Sequence, residues 1–206
     1  MKYTVNHDAI GTHIDWELEG VTARQLDWFW SNIEKGIILW HPSEHEPLEW
    51  AVPVKHGDPR GSVHIAPQTW SDGRRQNLYI RFEYLEQIDP RFRDVICHTH
   101  VGAFAGLGME AECLKQPDPF GYRIHQWTPS DAGVVGKSTA IGTRKPLTVE
   151  DGKVWAAHCA EEIGNWGVFL PDLHRLYKVV TDAKRNPFAD LSVTGKGRAA
   201  RFAFMS

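Results

Sequence analysis

The chain has 206 residues, 42% of them hydrophobic and 24% charged, and a formal net charge of −3. That length suits one domain with a substantial core. The charge excludes a general affinity for nucleic acid or for an anionic membrane surface.

Residues 1–20 read as an extended lead-in. A first helix starts near Thr22, where Thr22-Ala23-Arg24-Gln25 fits a capping box and Leu26, Phe29, Trp30 and Ile33 follow at helical spacing. Ile37-Ile38-Leu39-Trp40 is an apolar run too short to classify by period. His41-Pro42-Ser43-Glu44-His45-Glu46-Pro47 then forms a loop or short turn bracketed by two prolines and two histidines. Strand patterns follow over residues 61–67, 77–85, 95–101, 111–114, 120–127 and 133–141. In the second, Leu78, Ile80, Phe82 and Tyr84 share a face, and in the fifth, Arg123, His125 and Trp127 lie opposite Tyr122, Ile124 and Gln126. Gly106-Leu107-Gly108 lacks the spacing of a phosphate loop, so nucleotide binding is not expected. The last major element is a helix over about 149–180, which Pro171 should kink or split. The tail after Asn186 carries Lys196, Arg198 and Arg201 and reads as a solvated terminus. No linker or repeat divides the chain, so residues 1–206 read as a single domain. Helix, antiparallel strands, then a long C-terminal helix indicate an α+β architecture.

Nine Trp and eleven His are the compositional oddities. Trp-rich interiors either simply pack or form pockets for flat organic ligands. Cys97, Cys113 and Cys159 are too few and too widely spaced for a disulfide framework, so they are read as free thiols in a reducing, cytoplasmic setting. Met1 to Val5 lacks the apolar core of a signal peptide, and no apolar run approaches the roughly 20 residues needed to span a membrane.

His158 and Glu162 lie four residues apart on the long helix, which stacks them on one face. A neutral imidazole and a carboxylate so placed can grip one metal ion, and around them run Trp155, Trp166, Phe169 and Leu170. A polar pair in an apolar stripe must be satisfied by something, and a metal is one candidate. Further ligands must come from elsewhere. His45 and His41, in the Pro-flanked turn, are the first candidates. His98 and His100 alternate on one strand face, as a metal pair or as half-exposed histidines. His125 is a candidate acid/base, since an unperturbed imidazole titrates near neutrality. Gln68 can offer an amide oxygen to a metal or satisfy backbone. Cys159 is expected off the ligand face, because successive helical residues point about 100° apart.

The run His158-Cys159-x-Glu161-Glu162, with Phe169-Leu170-Pro171-x-Leu173 and Tyr177, resembles the C-terminal helix of the 2,4-diacetylphloroglucinol hydrolase and phloretin hydrolase family. Upstream, Gly20-Val21-Thr22 with Leu26-Asp27-Trp28-Phe29-Trp30, then Trp40-His41-Pro42-x-x-His45, resembles that family's first block, and Gly61-x-x-His64-Ile65 and Gly121-x-x-x-His125-Gln126 are weaker middle blocks. The resemblance spans about residues 18–178. It implies a Bet v 1-like helix-grip fold, a curved antiparallel sheet around a long C-terminal helix. It also implies a zinc ion, or another divalent metal, held by two His and two Glu. By motif position His45, His158 and Glu162 match three ligands, and Gln68 is the nearest match to the remaining Glu. A neutral amide there raises the charge of the site by one and should loosen a hard divalent ion. The family's substrate-contacting Tyr is replaced by the Ile37-Ile38 stretch, so the substrate should differ.

The implied activity is metal-dependent hydrolysis of a carbon–carbon bond in an acylphenol or β-diketone-like substrate. His125 would be the general acid, with His100 second. Two other classes stay open: a non-catalytic binder of apolar or aromatic ligands, and a metal-dependent oxygenase or lyase using iron or manganese. The expected partner is a small aromatic or diketone molecule, and a homodimer is left open.

Overall fold

The structure, a computed structural model, describes residues 1–108, 119–181 and 191–204. The predicted strand at 111–114 and Cys113 lie outside these residues. The chain divides into two compact units, Met1–Pro171 and Asp172–Ser206, where the sequence reads as one domain.

In the first unit the expected lead-in is a hairpin, β1 (Lys2–His7) and β2 (Gly11–Glu19). Burial alternates along the second half of β2, with Trp16 and Leu18 inward. Next comes α1 (Ala23–Trp30), opened by the predicted box: Gln25 N–H donates to Thr22 Oγ1 and Thr22 N–H to Gln25 Oε1. Such a cap satisfies two otherwise orphaned donors and contributes about 1 kcal/mol. Leu26, Phe29 and Trp30 of α1 are buried. The short apolar run is one helical turn, α2 (Ile37–Trp40).

A meander follows: β3 (Glu49–Val52), β4 (Val63–Thr69), β5 (Arg75–Phe82), a turn of helix α3 (Pro90–Arg93), β6 (His100–Gly108), β7 (Gly121–Pro129) and β8 (Gly133–Gly142). The eight strands form one antiparallel sheet in the order β1-β2-β8-β7-β6-β5-β4-β3. Residues 95–99, expected in a strand, lie outside β6. The Gly-Ala-rich stretch to Gly108 carries the pairing instead. Small residues are required there. A Cβ at Gly102 would overlap the rings of Trp127 and Trp30.

The long helix α4 (Val149–Thr181) starts where predicted, with Asp151 N–H donating to Thr148 Oγ1. Trp155, Cys159, Ile163, Trp166 and Leu170 of α4 pack in one cluster with Ile14, Trp16, Phe82 and Trp127 of the sheet and with α1. Tyr122 and Ile124, on the other face of β7, join a separate cluster with Phe104 and Ile141. The first unit is therefore an antiparallel sheet gripping a long C-terminal helix, as the resemblance implied.

The helix runs through Pro171 without splitting. In the second unit, Leu176 and Val180 are exposed. The expected solvated tail holds a hairpin, β9 (Leu191–Thr194) paired with β10 (Arg201–Phe204). Among the described residues no helix is long and apolar enough to cross a membrane.

Candidate metal centre and its cavity

The turn after α2 closes on itself, with His45 N–H donating to the His41 carbonyl (2.9 Å). It then bonds along β4: Thr69 N–H donates to Glu44 O and Glu46 N–H to Pro67 O. This sets His45 directly opposite Gln68. From the other side α4 presents His158 and Glu162. The ligating atoms of His45, His158 and Glu162 lie within 4.8 Å of one another. Glu162 Oε1 is 3.1 Å from His158 Nε2 and 3.4 Å from His45 Nε2, and each of the three side chains is 5% exposed.

Both imidazoles are tied from behind. His45 Nδ1 donates to the Ile37 carbonyl (2.9 Å), and His158 Nδ1 is 2.6 Å from Glu44 Oε2. A carbonyl can only accept, so His45 carries its proton on Nδ1 and its Nε2 lone pair faces Glu162. Burial alone would lower the His158 pKa, but Glu162 and Glu44 together raise it above the ordinary value. Burial pushes Glu162 up, and the facing His158 more than offsets this, holding it well below the usual carboxylate range. Two imidazoles and a carboxylate are the donor set of catalytic zinc sites, and their rear hydrogen bonds are what orients such ligands. The residues fit a divalent ion.

One cavity of about 70 Å³ is lined by these three residues together with Gln68, His64, His125, Arg123 and a ring of aromatic side chains. The lining follows strand alternation: His64, Ala66 and Gln68 on β4, Leu78, Ile80 and Phe82 on β5, Ala103, Ala105 and Leu107 on β6, Arg123 and His125 on β7. The alanines make the space. Trp30, Trp40, Trp70 and Trp155 supply the aromatic wall expected between sheet and helix. Gln68 is 5% exposed, and its amide makes no hydrogen bond among the described residues.

His125 is 4% exposed. Its Nδ1 is 2.9 Å from Ser138 Oγ, which also accepts from Trp16 Nε1 (3.1 Å), and its Nε2 has no partner among the described residues. Burial pushes its pKa down to about 4, with Glu162 opposing. His64 is pushed down to about 3 by burial, with His45 adding to the effect.

The second acid/base candidate, His100, is misplaced. It does not line the cavity. Its Nδ1 lies 3.2 Å from Asp27, and its ring stacks on Trp127. A register shift between Val101 and Ala103 leaves it paired with Trp127, on the face that α1 covers but beyond the strand residues that line the cavity. His98 precedes the strand and bonds Thr128 Oγ1. His41 also misses the cavity: it stacks on His158 at 4.4 Å behind the centre. Cys159, expected off the ligand face, lies in a group with His125 and Glu162 whose ligating atoms are within 4.8 Å. The helix is buried over so wide an arc that a 100° rotation (about one residue) stays inside. Glu44 was missed. Its signal was position, a carboxylate beside His45 in a Pro-flanked turn.

No family model matches the chain, and no curated protein matches it. Among solved structures it is similar to Ara h 8.0201, at 12% identity and a TM-score of 0.52 over 78% of this chain and 97% of that one. The fold is the Bet v 1-like helix-grip. Protein Ms6760 from Mycobacterium smegmatis (19% identity, TM-score 0.50, 82% and 97% covered) and a protein from Rhodobacter sphaeroides (14%, 0.51, 84% and 99%) are similar too. At these identities the likeness carries the helix-grip fold and nothing of its chemistry.

Proposed function

We propose that this helix-grip protein is a metal-dependent hydrolase that cleaves a carbon–carbon bond in an acylphenol or β-diketone-like substrate. Zinc, or another divalent ion, would be held by His45, His158 and Glu162, with the Gln68 amide as fourth donor. One observation carries the reading: the Nε2 sides of two rear-anchored imidazoles converge on Glu162 Oε1 at 3.1 and 3.4 Å. Acceptors that face each other in a buried site need a cation between them. A proton on His158 or a divalent ion meets that need, and the donor set suits the ion.

A bound zinc ion would polarise a ketone and lower the pKa of water toward neutrality. The chain's own residues do the rest. His125, kept neutral by burial, enters as a base rather than as the acid expected from sequence. It takes a proton from water as the oxygen adds to the carbonyl carbon. When the bond from that carbon to the ring carbon breaks, the electron pair goes to the ring carbon and His125 returns the proton there. The Trp16–Ser138–His125 chain fixes the imidazole, leaving Nε2 for this transfer. The buried indoles exclude bulk water.

The test is metal analysis of the purified chain, followed by a screen of acylphenols and 1,3-diketones for cleavage products. About one zinc per chain and carbon–carbon cleavage are expected. A chain that neither retains nor takes up zinc, manganese or iron loses the hydrolase reading. The apolar wall of Trp30, Trp40, Leu78 and Phe82 favours a second reading, a carrier of apolar ligands. Saturable binding of an aromatic ligand without turnover by zinc-loaded protein would establish that reading instead.

A further inference from the structure

Beside the inner cavity lies a larger one of about 490 Å³. Trp70, Leu78, Leu107, Arg123 and Trp155 belong to the walls of both. They form the boundary between the His–Glu cluster and this vestibule. Sites for drug-sized ligands run to roughly 300–1,000 Å³, well above the inner cavity alone. An aromatic ligand that reaches the cluster must therefore extend across the boundary.

Arg123 stands at that crossing. It shares the inward face of β7 with His125, two residues on. Its Nη1 donates to the Tyr122 carbonyl (2.9 Å), and its guanidinium carbon lies 5.7 Å from the Trp155 ring centroid. Among the described residues it forms no ion pair, so most of its five N–H donors are unused. Burial draws its pKa down to about 10, with Glu162, Asp151 and Cys159 as the acidic groups that oppose this, so it stays charged at neutral pH. The vestibule adds Arg74, Arg144 and Lys145 against one carboxylate, Asp151. Arg74 is bonded to Asp72 and Asp151. Arg123 is half-buried on the wall of both cavities, where a planar carboxylate would match its fork of N–H donors.

The geometry points to an organic anion as the ligand of this site: a ketone whose far end carries a carboxylate, seated on Arg123 while the carbonyl reaches toward His45, His158 and Glu162. This names the substrate class of the proposed hydrolase and rests on that reading for the carbonyl end only.

The test compares 4-acetylbenzoate with its neutral counterpart 4-acetylbenzamide by titration calorimetry, in metal-free and zinc-loaded protein. Metal-free wild type should bind the carboxylate about tenfold more tightly than the amide. Arg123→Met should abolish that preference while binding the amide as before, and Arg123→Lys should keep part of it. Equal affinities in wild type, no measurable binding of either probe, or an undiminished preference in Arg123→Met overturns the inference. Should Arg123→Met fail to fold, wild type and Arg123→Lys decide it. Metal content judges the hydrolase reading separately. A chain that binds no metal yet keeps an Arg123-dependent preference retains this inference and loses the other.

Discussion

The two walls of the inner cavity treat their histidines differently. On the wall built by α4 and the turn after α2, His45 and His158 are each anchored at Nδ1 by an acceptor and face a carboxylate at Nε2. On the sheet wall, His64 and His125 face no carboxylate within ion-pair distance among the described residues, and burial holds both neutral. The same side chain, equally buried, is thus prepared for opposite tasks. Anchors and carboxylates favour a cation at Nε2, whereas desolvation alone removes charge and leaves a ring that can carry a proton or touch a ligand.

Removing the carboxylate that the first wall shares should break this contrast most completely. Glu162→Gln keeps the shape but deletes the charge that faces both imidazoles, so zinc content should fall to background and turnover with it. Zinc retained at one per chain would place the ion elsewhere. The next largest effect belongs to the other wall. His125→Ala should keep its zinc while turnover on any substrate found drops about 10²–10⁴-fold, the usual range for a positioned acid/base. Normal turnover would remove His125 from the mechanism, and lost metal would make it a ligand.

The anchored wall was the more legible in the sequence. His158 and Glu162 follow from helical spacing, and His45 from a Pro-flanked turn that matched a family block. Strand alternation also put Arg123 and His125 on one face of β7 and Leu78, Ile80 and Phe82 on one face of β5, as observed. Three things were hidden. Three glycines and two alanines make up most of the nine residues of β6, Gly102 because the rings of Trp30 and Trp127 leave no room for a Cβ, so few branched or aromatic residues mark it as a strand. The β1–β2 hairpin pairs across the sheet with β8, a long-range contact that no local pattern shows. Glu44 acts through His158, 114 positions away, and only the folded chain brings them together.

Glu44 therefore offers a finer test of the anchored wall. Glu44→Gln can still accept from His158 Nδ1–H but no longer makes the imidazole more basic. Losing such an outer partner typically costs about 10–100-fold in metal affinity, so competition with a chelating dye should show zinc held, but more weakly. An unchanged affinity would reduce Glu44 to a packing role.

The smallest effect, on stability rather than metal, sharpens the contrast from the sheet side. His64 has an ordinary pKa near 6.5 when unfolded and about 3 when folded. Between those values the unfolded chain binds a proton that the folded chain refuses, so stability is lost as pH falls from about 6.5 toward 3. One proton of difference gives a slope of about 1.4 kcal/mol per pH unit. His125, pushed down to about 4, contributes to the same limb. His64→Phe fills a comparable volume and removes the Nδ1 that has no partner in the core. It should leave stability at pH 7 unchanged or slightly higher. Urea unfolding of metal-free protein at a series of pH values should then show a shallower acid limb than wild type, with the His125 share remaining. Parallel curves for the two proteins would mean that His64 takes up its proton in the folded state, and that the sheet wall is wetter than its burial implies.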